Sequence, residues 1–117
     1  MFEFYYENRV RKMNYIQIEL TQGNINQGHF YLDDCRQFFP SECLGGKNKS
    51  LAGKPLTVVF DGIGETVSTD IDATKRLFRV ARGQSKRFLK HYELTAGDNI
   101  YVVNSDQTYL VTTKLSK

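Results

Sequence analysis

Residues 79–103 read RVARGQSKRFLKHYELTAGDNIYVV, and this stretch limits the possible folds more than any other. Phe78 and Val80 alternate with Arg79, as in a half-buried strand. Gly83 interrupts the run, and Ser85 is placed to cap a helix. On that helix Phe88, Leu89 and Tyr92 share one face, while Lys86, Arg87 and Lys90 fall mostly on the other. Leu94-Thr95-Ala96-Gly97-Asp98 reads as a tight turn, where Gly97 supplies a positive φ and Asp98 bonds nearby backbone. Ile100 and Val102 then resume the alternation. A short basic helix packed on the end of a small barrel satisfies all these signals. Residues 73–92 also hold seven Lys or Arg and no Asp or Glu, against a formal net charge of +3 for the whole chain. The remainder is therefore net acidic, so one basic face and an anionic partner are expected.

A chain of 117 residues supports a single core. Its 40% apolar and 13% aromatic content belongs to a folded rather than a disordered chain. The regular pattern begins near Met13, so a domain over 13–117 is expected behind an aromatic-rich extension, 1–12. Cys35 and Cys43 form no CxxC and have no matching histidine pair, which argues for two reduced thiols and against zinc. The first twelve residues are charged and lack an apolar core, and no apolar run is long enough to span a bilayer. A cytoplasmic chain without a membrane partner is the expectation.

Period-two alternation and turn residues mark strands near 16–20, 30–32, 56–60, 66–71, 76–80, 99–103 and 109–113. Residues 33–44 read as a short helix broken at Pro40, anchored by Phe38 and Phe39. The class is mainly β: seven short strands and two short helices, with turns spaced as in a barrel.

Residues 21–29 are almost entirely Gly and amide side chains, more than a simple reversal needs. Gln22, Asn24, Asn26, Gln27 and His29 are candidates to read base edges, since Asn and Gln pair bidentately with adenine. The other reading is a set of ordinary Asx turns. Lys47 and Lys49 lie in a glycine-bearing basic loop, but no GxxxxGK[ST] is present, so nucleotide hydrolysis is not expected. Asp61, Glu65, Asp70 and Asp72, with Lys75, leave a metal-dependent nuclease as the alternative, although their spacing matches no nuclease signature. A small barrel binding RNA or protein is a further alternative, since abundant Tyr and Phe can stack on single strands. His29 and His91 are isolated. No catalytic residue, cofactor or metal is expected.

Three segments, in order, resemble the DNA-binding pseudobarrel superfamily, which includes the plant B3 domain and similar domains of bacterial restriction–modification proteins. RGQSKRFLKHYELTAGDNIYV resembles that family's helix, LxxGD turn and apolar strand. FFPSECLGG resembles the helix closing the other barrel end, and LTQGNINQGHFYL is similar to the strand–loop–strand arm of bacterial members. Plant members commonly carry a tryptophan near the basic helix; Arg82-Gly83-Gln84 stands there instead, which favours the bacterial grouping. The resemblance implies an open seven-stranded pseudobarrel, with two short helices closing its ends, that grips the major groove of double-stranded DNA with two arms. The N-terminal arm would be 22–29 and the C-terminal arm the turn 70–76. Asp70, Asp72, Thr74, Lys75 and Arg76 would then join the amide residues at base edges, with Asp70 and Asp72 either accepting from cytosine or bracing Lys75 and Arg76. Lys47, Lys49, Arg79, Arg82, Ser85 and Lys86 would hold phosphates. A recognition module working beside a separate nuclease or methyltransferase subunit is the implied role.

Overall fold

A computed structural model describes residues 14–106 and 108–115; the expected extension 1–12 lies outside them. In chain order the elements are β1 (Tyr15–Glu19), α1 (Gln22–Gln27), α2 (Cys35–Phe38), β2 (Leu44–Gly45), β3 (Leu56–Phe60), β4 (Glu65–Thr69), β5 (Ile71–Asp72), β6 (Leu77–Phe78), α3 (Arg82–His91), β7 (Asn99–Ser105) and β8 (Thr108–Thr112). Single 3-10 turns occupy Ser41–Cys43 and Lys49–Leu51. The fold is mainly β, with eight strands rather than the expected seven among the described residues. They form two mixed sheets, ordered β1-β7-β8-β3-β4 and β2-β5-β6. Among the described residues neither sheet closes on itself by hydrogen bonds.

The large sheet follows the alternation read from the sequence. Ile16 and Ile18 of β1 face inward, opposite Val102 and Ile100 of β7. Val58 and Phe60 of β3 lie beside Tyr109 and Val111 of β8 in a parallel pairing. Phe88 and Leu89 of α3 join the same core, and the Phe88 ring meets Phe60 edge-on at 6.0 Å. Each such ring contributes roughly 1.5–3 kcal/mol by leaving water. Phe38 and Phe39, the expected anchors, pack against each other and against Tyr109, with Phe78 beside Phe39. Pro40 ends α2 and leads into the 3-10 turn.

Residues 30–32 belong to no sheet. Phe30 and Leu32 are buried, and Leu32 N–H donates to the Arg76 carbonyl, so the segment is tucked under the 73–76 turn instead of being laddered. The expected strand 66–71 is two strands, because the chain leaves the large sheet at Thr69 and enters the small one at Ile71. Asp70 is the corner between them. At the other end the Gly97 turn forms as expected, with φ at 95°. The Asp98 carboxylate accepts from Thr95 N–H, and backbone bonds to Leu20 tie this turn to the end of β1.

Candidate nucleic-acid interface

The amide-rich segment is a helix, which corrects its reading as a loop. Thr21 and Asn24 make a reciprocal capping box: Asn24 N–H donates to Thr21 Oγ1 at 3.1 Å, and Thr21 N–H donates to Asn24 Oδ1 at 2.9 Å. Gly28, at φ 72°, ends α1 in the left-handed conformation that glycine adopts without strain. A Cβ there would come within 3.0 Å of the Lys86 side chain, so α1 ends directly against α3. Asn24 is only 3% exposed and does not face outward, so it is withdrawn as a base reader. Gln22, Asn26 and Gln27 are exposed, with Gln22 Nε2 donating to Asn26 Oδ1 one turn on. Asn24→Ala should therefore lower stability by about 1 kcal/mol, because Thr21 N–H loses its Oδ1 acceptor while the Asn24 N–H to Thr21 Oγ1 half of the box remains. Thermal melting checks this.

Beyond α1 a groove of about 890 Å³ opens. Lys47 and Lys49 reach it from the β2–β3 connection, Lys75 and Arg76 from the β5–β6 turn, and Arg79 and Arg82 from the approach to α3. His29, Asp72, Thr74 and Ser85 also line it, so most of the expected site residues converge here although they are scattered in sequence. Its one acidic lining residue among the described residues, Asp72, is 5% exposed and turned into its own backbone, its Oδ1 accepting from Thr74 and Lys75 N–H. Asp72 thus braces the turn and does not face base edges. Arg76 closes that turn at φ 60°. Its guanidinium lies 5.4 Å from the Tyr31 ring centroid and 3.1 Å from Asp33 Oδ1. His29 packs edge-on to Tyr31 at 5.1 Å. Burial and then the Arg82 charge push its imidazole below the usual histidine range, so at neutral pH it presents one donor and one acceptor.

Two further expectations are corrected by a buried knot behind the groove. Asp70 is 4% exposed, and Arg79 is 12% exposed at its side chain. Arg79 Nε donates to Asp70 Oδ1 at 2.7 Å and its Nη2 to Oδ2 at 3.0 Å, a two-pronged pair. Arg79 Nη2 also donates to Gly46 O at 2.6 Å, and Gly53 N–H to Asp70 Oδ2 at 2.7 Å. Asp70 therefore does not read bases, and Arg79 does not hold a phosphate: together they pin the Lys47–Lys49 loop to the sheet corner. Burial pushes the Asp70 carboxyl up, but the Arg79 hydrogen bonds, the Gly53 N–H and the Arg79 charge outweigh it and hold the group below its ordinary range. Ser85 is likewise not a cap. The helix begins at Arg82 without a side-chain cap, and Ser85 is buried one turn inside it.

Arg87, another member of the basic run, is paired outside the groove: its Nε and Nη2 each lie 2.6 Å from a Glu65 carboxylate oxygen. Lys86 is exposed on α3 and does not line the groove itself. The four carboxylates of the nuclease alternative have separate partners: Glu65 with Arg87, Asp70 with Arg79, Asp72 with its turn, and Asp61 with the Thr112 hydroxyl at 2.8 Å. Among the described residues no three His, Cys, Asp or Glu side chains gather as a metal site. Cys35 and Cys43 are buried free thiols, and burial pushes both above the usual cysteine range. A second hollow, of about 840 Å³, lies beside Asp61, Tyr92 and Lys114 and balances one cation with one anion.

Lys75, Arg82 and the loop lysines were visible in the sequence as charge. Tyr31 and Val80, exposed in the same groove, carry no such signal, because one reads as a strand residue and the other as a packing position. Among the described residues no helix is long and apolar enough to cross a membrane. Comparison with family models, curated proteins and solved structures returns no match.

Proposed function

We propose that this chain binds double-stranded DNA sequence-specifically, laying the basic groove against the major groove. The observation that carries this reading is the convergence of cations from three separate chain segments on one groove whose only carboxylate among the described residues is turned away. Lys47, Lys49, Arg82 and Lys86 would neutralise phosphates and set register. Lys75, Arg76, Thr74 and His29 would reach base edges, with Gln22, Asn26 and Gln27 presented by α1 as a second arm. The fold is taken as a B3-like pseudobarrel of the bacterial restriction–modification kind on the strength of the sequence resemblance, with α3 packed on the core of two mixed sheets. In that reading the chain is a non-catalytic recognition module in the cytoplasm, beside a separate nuclease or methyltransferase subunit.

Selection from a random duplex library tests the proposal. Recovery of one short sequence, competed poorly by single-stranded DNA and RNA, is the expected result. Equal or better competition by RNA, or no enrichment, would overturn it.

A further inference from the structure

Of the four large apolar side chains exposed among the described residues, two stand in the basic groove: Tyr31, 39% exposed, and Val80, 59% exposed. Isolated exposed hydrophobics are ordinary, but the backbone carrying Val80 is unusually well fixed. Its own N–H donates to Thr69 Oγ1 at 2.9 Å, and that hydroxyl in turn donates to Asp70 O. On one side Arg79 N–H also donates to Asp70 O and its side chain is held in the buried knot. On the other, Ala81 is buried and its carbonyl accepts from Ser85 N–H. A β-branched side chain on such a backbone has little rotamer freedom, so its methyl groups project to a set place. Tyr31 is held in turn by His29 and Arg76. Phosphates gain nothing from an apolar surface. In the major groove, thymine alone among the four bases offers an apolar group, its C5-methyl, and 5-methylcytosine carries the same methyl.

We infer that Val80 and Tyr31 form an apolar subsite for the C5-methyl group of a pyrimidine in bound duplex DNA, an inference that rests on the duplex-binding reading above. The surrounding Lys75 and Arg82 bring the duplex in, and the subsite discriminates within it. The probe is the duplex recovered by selection, with each thymine replaced in turn by uracil and each cytosine in turn by 5-methylcytosine. Uracil removes only the methyl and leaves every hydrogen-bonding group in place. At one position, loss of the methyl should weaken binding, or gain of it strengthen binding, by about fourfold, the value for one buried methyl-sized group. Which arm responds tells thymine from 5-methylcytosine. Val80→Ala should erase that difference while leaving melting and random-duplex affinity close to wild type. Duplex binding with no response in either arm, or a response undiminished in Val80→Ala, would overturn the subsite and leave the duplex reading standing. Absence of any duplex binding would overturn both.

Discussion

Gly45→Ala should be among the most damaging single substitutions in this chain, lowering stability by about 4 kcal/mol or more. A Cβ at Gly45 would overlap Asp70 Oδ2 and lie 2.6 Å from Arg79 Nη2 and 2.7 Å from Gly53 N. These atoms are not the ends of mobile side chains, because they are bonded to one another. Overpacking alone costs roughly 1–3 kcal/mol, and here relief requires breaking a buried ion pair as well. Domains of this size are stable by only about 5–15 kcal/mol, so the loss is a large fraction of the total. Thermal melting should fall by more than about 10 °C. Gly23→Ala is the internal control. Its Cβ would meet only Thr21 Oγ1, at 3.7 Å, in a helical position, so it should be neutral or slightly stabilising.

The second large effect concerns the pair itself. Asp70→Asn or Arg79→Ala should each cost about 3 kcal/mol, because each leaves one buried member without its counter-charge. The double variant should lose less than the sum, since neither orphan remains. The pair also sets an acid limit. The folded carboxyl is held below the unfolded value, so its contribution is present above about pH 4 and is lost as pH falls through the folded value. Melting measured from pH 7 down to pH 2 should show this loss in wild type and a flatter profile in Asp70→Asn. An unchanged profile would remove Asp70 from the acid response. Any loss of DNA affinity in Arg79→Ala should accompany the loss of fold, in contrast to Lys75 or Arg82, which are exposed.

Where side-chain order along the chain decides structure, the sequence was readable. Ile16 and Ile18, Val58 and Phe60, Ile100 and Val102 alternate, and each pair sits in the core of the large sheet. The apolar face of α3 was visible from Phe88 and Leu89. Helix α1 was misread because its glycine and amide composition favours turns, whereas two local bonds between Thr21 and Asn24 decide for helix. That T-x-x-N spacing was the available signal. The Asp70–Arg79 pair was hidden for another reason. Both residues are polar, and only the sheet change at Asp70 brings them together and folds the 45–53 loop over them. Charge counting therefore overstated the basic face, since Arg79 and Arg87 are both paired within the protein.

The most direct measurement of the central claim is duplex affinity as a function of salt, for wild type and for Lys47→Ala/Lys75→Ala. Both lysines are exposed at the groove and hold no part of the core, so melting should change little. With about four to six phosphates neutralised, log affinity should fall against log salt with a slope of roughly −4 to −5. The double variant should be shallower by about 1 through the phosphate lost with Lys47, and should show an altered sequence preference through Lys75. A flat salt dependence, or a slope that the double variant leaves untouched, would contradict the groove as a DNA-binding surface.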